Sequence, residues 1–80
     1  MNLDTIIKLL LSTNNEDCII GYRLLRRKYR FMFLWMINLF ILHKYDILVD
    51  FTYFPDIHGG SDERWLVIFG PNKQSWIQLN

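Results

Sequence analysis

Four arginines at helical spacing form the clearest group of side chains able to bind an anion. The group comprises Arg23, Arg26, Arg27 and Arg30. In a helix these positions share one arc, because each residue is rotated by about 100° from the last. A guanidinium group binds phosphate or carboxylate through paired hydrogen bonds, and Tyr22 or Tyr29 would add a stacking surface. The pattern indicates an anion or nucleic-acid contact, but it also suits a solvated helix face or an acidic protein partner.

A second group of chemically capable side chains falls in one glycine-containing loop. The group comprises Asp56, His58, Asp62 and Glu63. Carboxylates and imidazoles can bind metals or act as general acids and bases. However, a single histidine in a single loop lacks the ligand spacing of metal sites. We therefore predict a polar loop whose carboxylates cap backbone amides, with no catalytic residue, no metal and no cofactor. The chain is predicted not to be an enzyme.

The single cysteine, Cys18, indicates a cellular compartment but gives no sign of a catalytic nucleophile. One cysteine cannot form an internal disulfide, which fits a reducing setting. Nothing places it near His43, the closest histidine in sequence, so we predict a buried apolar role. The N-terminus has no positive leader region and carries Asp4 early, which argues against a signal peptide. We expect an intracellular, cytoplasmic or virion-associated protein.

The longest apolar run, residues 31–42, is the element around which the chain is organised. Only Asn38 interrupts it. As a helix the run would cover about 18 Å, against about 30 Å of membrane hydrocarbon, and extending it upstream would bury Arg30. A membrane span is therefore not predicted, and a membrane-surface contact is the weaker alternative. An 80-residue domain cannot wrap a helix that is apolar all round. We predict that this run is both core and protein interface. The predicted interface residues are Phe31, Phe33, Leu34, Trp35, Phe40, Trp65 and Trp76.

Up to three helices are predicted to position these groups. The first ends near residue 11 and is capped by Asn2 or Asp4. The second begins near residue 14, where Thr13 and Glu16 have capping-box spacing. A bend near residues 28–30 is predicted to separate it from a third helix that ends near residue 43. One side of the second helix is apolar: Cys18, Tyr22, Leu25, Tyr29 and Met32, with Ile20, Leu24 and Phe31 beside them. Gly21 lies near this side and would permit close approach of another element.

The remainder of the chain has the pattern of strands. Residues 47–54 alternate with the period of a half-buried strand, and Pro55 ends that run. Residues 65–69 are apolar on both faces, which is typical of a central strand. A turn then leads to a third strand at residues 75–79.

The fold class predicted from these elements is α+β. Two to three N-terminal helices (1–45) would pack on a C-terminal three-stranded antiparallel β-meander (46–80) in one small domain. With 51% hydrophobic residues the chain is expected to fold. The sequence contains no alanine, which suggests an AT-rich bacterial or phage source.

Charge is divided between the two parts of the chain. The net charge is +1, yet no acid occurs between Cys18 and Tyr45, whereas residues 46–63 contain five acids and neither lysine nor arginine. We predict a small non-enzymatic protein–protein interaction or assembly component, such as a phage or bacterial structural or adaptor subunit. Its partner would be another protein or a second copy of the chain. The alternative is a small nucleic-acid-binding or regulatory protein that uses the arginine face.

Overall fold

The fold begins with two helices that form an antiparallel hairpin. The structure is a computed structural model that describes residues 2–30 and 34–80. Helix α1 spans Leu3–Leu10 and helix α2 spans Asn15–Lys28. The Asn2 side chain caps α1 by accepting a hydrogen bond from the Thr5 amide at 2.9 Å. Asn14 caps α2 in the same way. The predicted capping box of Thr13 and Glu16 was therefore wrong, because Asn14 and not Thr13 caps this helix.

Gly21 allows the two helices to approach closely, as predicted. A Cβ atom at this position would lie 3.0 Å from the Leu9 Cβ and 3.2 Å from the Leu10 amide nitrogen. Such separations are shorter than ordinary van der Waals contacts, so a side chain here would push α1 away. Cys18 is buried next to this contact, as predicted. Ile20, however, is 48% exposed, so the apolar stripe predicted for α2 is narrower than its sequence suggested.

Helix α3 spans Leu34–Tyr45 and is separate from α2, as the predicted bend requires. Asp46 follows it with a φ of 58°, in the left-handed region, and its amide donates to the Leu42 carbonyl at 3.1 Å. Aspartate tolerates this conformation better than most residues, which explains the end of the helix. The Tyr45 hydroxyl donates to Asp4 Oδ1 at 2.5 Å and links the end of α3 to the start of α1.

Three antiparallel strands follow in the order β1-β2-β3, which confirms the predicted α+β architecture. Strand β1 spans Leu48–Phe54, β2 spans Glu63–Gly70 and β3 spans Lys73–Gln78. Strand β2 is central, as its apolar sequence predicted. Val49 pairs with Ile68 across β1 and β2, so both side chains point to the same face.

One face of the sheet joins the helices in a single hydrophobic core. The buried core residues are Ile6, Ile7, Leu10, Cys18, Tyr22, Leu25, Ile41, Ile47, Val49, Leu66, Ile68 and Ile77. They come from all three helices, from all three strands and from the α3–β1 connection. Val67 is also buried, but it alternates with Leu66 and Ile68 and lies outside this cluster, toward the opposite face.

Lys73 connects the β2–β3 turn to the end of α1. Its ammonium group donates to the carbonyl oxygens of Leu10 at 2.8 Å and Ser12 at 2.6 Å. It also lies 2.9 Å from the Cys18 Sγ atom. Carbonyl groups in the last turn of a helix have no partner inside the helix, so this lysine acts as a cap supplied by a distant part of the chain.

Candidate interaction surfaces

The outward side of α3 is apolar and exposed, because no element of the described chain covers it. Met36, Leu39, Phe40 and Leu42 are between 41% and 58% exposed, and we call them the α3 apolar face. On the opposite side of the helix, Ile41 is fully buried in the core. A surface helix normally places charged residues outward, so this helix is apolar where a polar face is expected.

The α3 apolar face continues into a shallow depression at the end of α2. The depression has a volume of about 280 Å³ and is lined by Tyr29, Met36, Ile37 and Phe40. Lys44 lies over the Phe40 ring, with 5.6 Å between its Nζ atom and the ring centroid. Helix α3 carries His43 and Lys44 but no acidic residue, so the charge beside the α3 apolar face is positive.

The second exposed apolar surface is the face of the sheet that points away from the core. Strand alternation and register place on it Leu48, Asp50, Thr52, Phe54, Glu63, Trp65, Val67, Phe69, Gln74, Trp76 and Gln78, and we call this set the outer sheet face. Trp65 and Trp76 pack edge to face with 6.5 Å between ring centroids. The Trp65 indole donates to the Glu63 carboxylate at 3.1 Å. This face carries two carboxylates and no basic residue, opposite in charge to α3.

Three of the residues predicted as a protein interface have described side chains, and these three lie on the two surfaces. Phe40 lies in the α3 apolar face, whereas Trp65 and Trp76 lie on the outer sheet face. Phe31 and Phe33 are outside the described residues, as are the side chains of Leu34 and Trp35, which begin α3. The predicted interface residues that the structure describes are therefore divided between two surfaces that differ in charge.

The four predicted arginines are also divided by the structure. Arg23 and Arg26 line a cleft of about 480 Å³ between α2 and the sheet. Arg27 lines a separate depression of about 170 Å³, and Arg30 is exposed and lines neither. The residues around the larger cleft are Tyr22, Arg23, Arg26, Phe51, Arg64 and Leu79, and we call it the arginine cleft.

Arg64 belongs to this cleft but was not recognised in the sequence. It pairs with Tyr53 across β1 and β2 and lies two residues before the core residue Leu66. Because side chains alternate along a strand, Arg64 points to the same face as Leu66 and hence toward the helices. Strand alternation could have indicated the face to which Arg64 points. It could not have shown that Arg64 joins the arginines of α2, because that depends on the position of α2 beside this end of β2.

Acidic side chains in the loop between β1 and β2 are used to hold its backbone, as predicted. Asp62 accepts hydrogen bonds from the Tyr53 hydroxyl and from the Asp56 amide, and Asp56 accepts one from the His58 amide. The hydrogen bond from Tyr53 holds the pKa of Asp62 below its usual range, and the Asp56 amide acts in the same direction. The same bond raises the pKa of Tyr53. In residues 2–30 and 34–80, no three histidine, cysteine or acidic side chains are grouped so as to hold a metal ion.

None of the helices in the described residues has the length and apolarity needed to cross a membrane. Comparison with known protein families, with curated proteins and with solved structures gives no significant match to this chain.

Proposed function

We propose that this protein is a small non-enzymatic assembly component that associates with further copies of itself. The α3 apolar face of one copy would pack on the outer sheet face of the next. The proposal rests on one observation: the outward side of α3 is apolar and exposed where a monomer would carry polar residues. A phage or bacterial structural or adaptor subunit, intracellular or virion-associated, is the setting that we propose for such a chain.

Charge complementarity favours a second copy as the occupant of the α3 apolar face. Helix α3 offers His43 and Lys44, whereas the outer sheet face offers Asp50 and Glu63. A second α3 helix would offer no acidic partner to these side chains, because α3 contains no acidic residue, but the outer sheet face brings opposite charges together. Trp76, which is 49% exposed, supplies the large aromatic group that commonly anchors an interface.

A contact between two different surfaces leads to assemblies larger than a dimer. Each copy carries both surfaces, so one copy can bind two neighbours, and the assembly closes into a ring or continues as a filament. A contact of the α3 apolar face with itself would stop at a dimer. The mass of the assembly therefore distinguishes these arrangements.

Light scattering after gel filtration of the chain expressed alone is the first test. We expect an assembly larger than a dimer, with a mass that is a multiple of 9.7 kDa, whereas a defined dimer would indicate contact of the α3 apolar face with itself. A species of 9.7 kDa at micromolar concentration would contradict self-association. In that case the α3 apolar face would be assigned to a different protein.

Two charge substitutions test the pairing of surfaces. Leu39→Glu damages the α3 apolar face and Trp76→Glu damages the outer sheet face, and both positions are about half exposed in the single chain. Each variant alone is expected to be monomeric. An equal mixture should form a heterodimer, because one variant keeps an intact sheet face and the other an intact α3 apolar face. A mixture that remains monomeric would contradict the proposed pairing.

Ile20→Glu provides the matched control. Ile20 is a similarly exposed aliphatic residue on a helix, but it belongs to neither surface. We expect this variant to assemble like the natural sequence. Disassembly by Ile20→Glu would show that a new charge on any exposed apolar residue is sufficient, and the argument from α3 would then fail.

A further inference from the structure

The arginine cleft collects positive charge from two separate elements. Helix α2 contributes Arg23 and Arg26, three residues apart and therefore neighbours on one helix face. Arg64 comes from β2, where its main chain is held by the residues that follow β3. Its carbonyl accepts from the Leu79 amide at 2.7 Å, and its amide donates to the Asn80 side chain at 3.0 Å. The fold thus brings three arginines from two elements to the lining of one cleft.

The positive charge in the cleft is not neutralised by the described part of the chain. None of the residues that line the cleft is acidic, and no described carboxylate forms an ion pair with its three arginines. Arg26 instead lies over the ring of Tyr22, 5.7 Å from its centroid. The pKa of Asp62 is lowered mainly by the hydrogen bond from Tyr53 and least by the charge of Arg64, so Asp62 does not act as an ion-pair partner of this arginine. Like charges on the lining of one cleft repel each other, and a bound anion would relieve that repulsion.

An aromatic ring beside the arginines indicates what kind of anion the cleft fits. Phe51 points to the same face of the sheet as the core residue Val49, yet it remains 41% exposed because it lines the cleft. At about 480 Å³ the cleft has the size of a small-molecule site and exceeds what a lone phosphate ion would fill. Proteins bind unpaired nucleotides by stacking bases on exposed aromatic rings while arginines contact the phosphates. A carboxylate of an acidic peptide would use the arginines but not the ring.

We propose that the arginine cleft binds nucleotide units of single-stranded nucleic acid. Arg23, Arg26 and Arg64 contact the phosphates, and Phe51 stacks on a base. This site lies between α2 and the inner face of the sheet, whereas self-association uses the outer sheet face and the outward side of α3. Binding of a strand and assembly of copies are therefore separate properties of the chain.

Fluorescence anisotropy with a short labelled oligothymidylate tests the site on the full chain. Binding should weaken with salt, with a slope of log K against log salt of roughly −2 for three phosphate contacts. Arg64→Gln should lower the affinity about tenfold and bring the slope closer to zero by roughly 0.7. Absence of binding at low salt would overturn the proposal.

Arg27→Gln is the matched control. It removes the same charge from the same helix as Arg23, but Arg27 lines the other depression. We expect it to change the affinity less than twofold. If Arg27→Gln weakened binding as much as Arg64→Gln, the binding would be a general property of the basic helix, and the cleft would have no special role.

Phe51→Leu tests the stacking contact, because leucine keeps the apolar wall and removes the ring. We expect about a tenfold loss of oligothymidylate affinity with an unchanged salt slope. The proposal would be overturned in favour of an acidic protein ligand if two results were found together. Polyglutamate would compete as well as the oligonucleotide, and Phe51→Leu would have no effect on binding. Competition by thymidine monophosphate distinguishes a nucleic-acid strand from free nucleotides as the ligand. If the monophosphate competes as well per nucleotide as the oligothymidylate, the site is assigned to free nucleotides. If it competes much more weakly, the site is assigned to a strand.

Discussion

Replacing Lys73 by methionine is expected to weaken the junction between the sheet and the helical hairpin. The Lys73 ammonium group joins the β2–β3 turn to the end of α1 through hydrogen bonds to Leu10 and Ser12. Methionine has a similar length and apolar stem but no donor. Both carbonyl groups would therefore lose a charged partner in a region that is only partly accessible to water.

The expected loss follows from those two hydrogen bonds. A hydrogen bond to a charged group contributes about 1.5–3 kcal/mol to stability, and the lower value applies here because Lys73 is half-buried. Two bonds give about 3 kcal/mol, and better burial of the methionine side chain offsets up to about 1 kcal/mol. We expect a net loss of about 2–3 kcal/mol. A chain of this length has a typical unfolding free energy of about 4–12 kcal/mol, so the loss is a large fraction.

Urea denaturation followed by circular dichroism measures this difference directly. The midpoint should fall with little change in slope, and the thermal midpoint should fall by roughly 10–20 °C. Lys8→Met is the control, because the Lys8 side chain is exposed on α1 and forms no hydrogen bond in the described structure. It should change the unfolding free energy by less than about 0.5 kcal/mol. Equal stability of the Lys73→Met and Lys8→Met proteins would refute the reasoning.

Three further predictions follow from local contacts. Gly21→Ala should destabilise the protein by about 1–2 kcal/mol in urea denaturation despite better helix propensity, because its Cβ would press on Leu9 and the α1 backbone; an increase in stability would mean that α1 moves away freely. Because the pKa of Asp62 is lowered, its ionised carboxylate stabilises the fold above the usual carboxyl range, and this contribution is lost as the pH falls through the lowered pKa. Because the pKa of Tyr53 is raised, its neutral hydroxyl stabilises the fold below the usual phenol range, and this contribution is lost as the pH rises through the raised pKa. Asp62→Asn should therefore lower the tyrosinate titration midpoint of Tyr53 in ultraviolet absorbance, and an unchanged midpoint would show that the two groups do not interact. Asn14→Ala should cost about 1 kcal/mol by removing the α2 cap, as measured by the thermal midpoint, and no change would indicate that another group caps the helix.

The sequence was sufficient to predict the secondary structure and its order. The separate helices α2 and α3, the central position of β2 and the antiparallel sheet all follow from short-range patterns: helical periodicity, strand alternation and turn residues. Cys18 and Gly21 were also assigned correctly, because a small residue on an apolar helix side has few other roles. These features depend on neighbours within a few residues along the chain.

The candidate sites could be predicted only in part, because each depends on residues that are distant in sequence. Arg23 and Arg26 were recognised from their helical spacing, but Arg64 joins them only through the position of α2 beside β2. In the same way, Phe40 and Trp76 were both recognised as interface candidates, yet their separation onto a helix and a sheet face required the fold.

What the sequence by itself determined is therefore the list of elements and the chemical character of each one: an apolar helix, a basic helix and an amphipathic sheet. Tertiary structure alone decided which charges meet. In the sequence, Lys73 could be recognised only as a residue near a turn. The fold places its ammonium group at the end of α1. The physical reason is that periodicity records which side of an element is apolar, whereas contacts between elements depend on packing, which short-range sequence patterns do not encode.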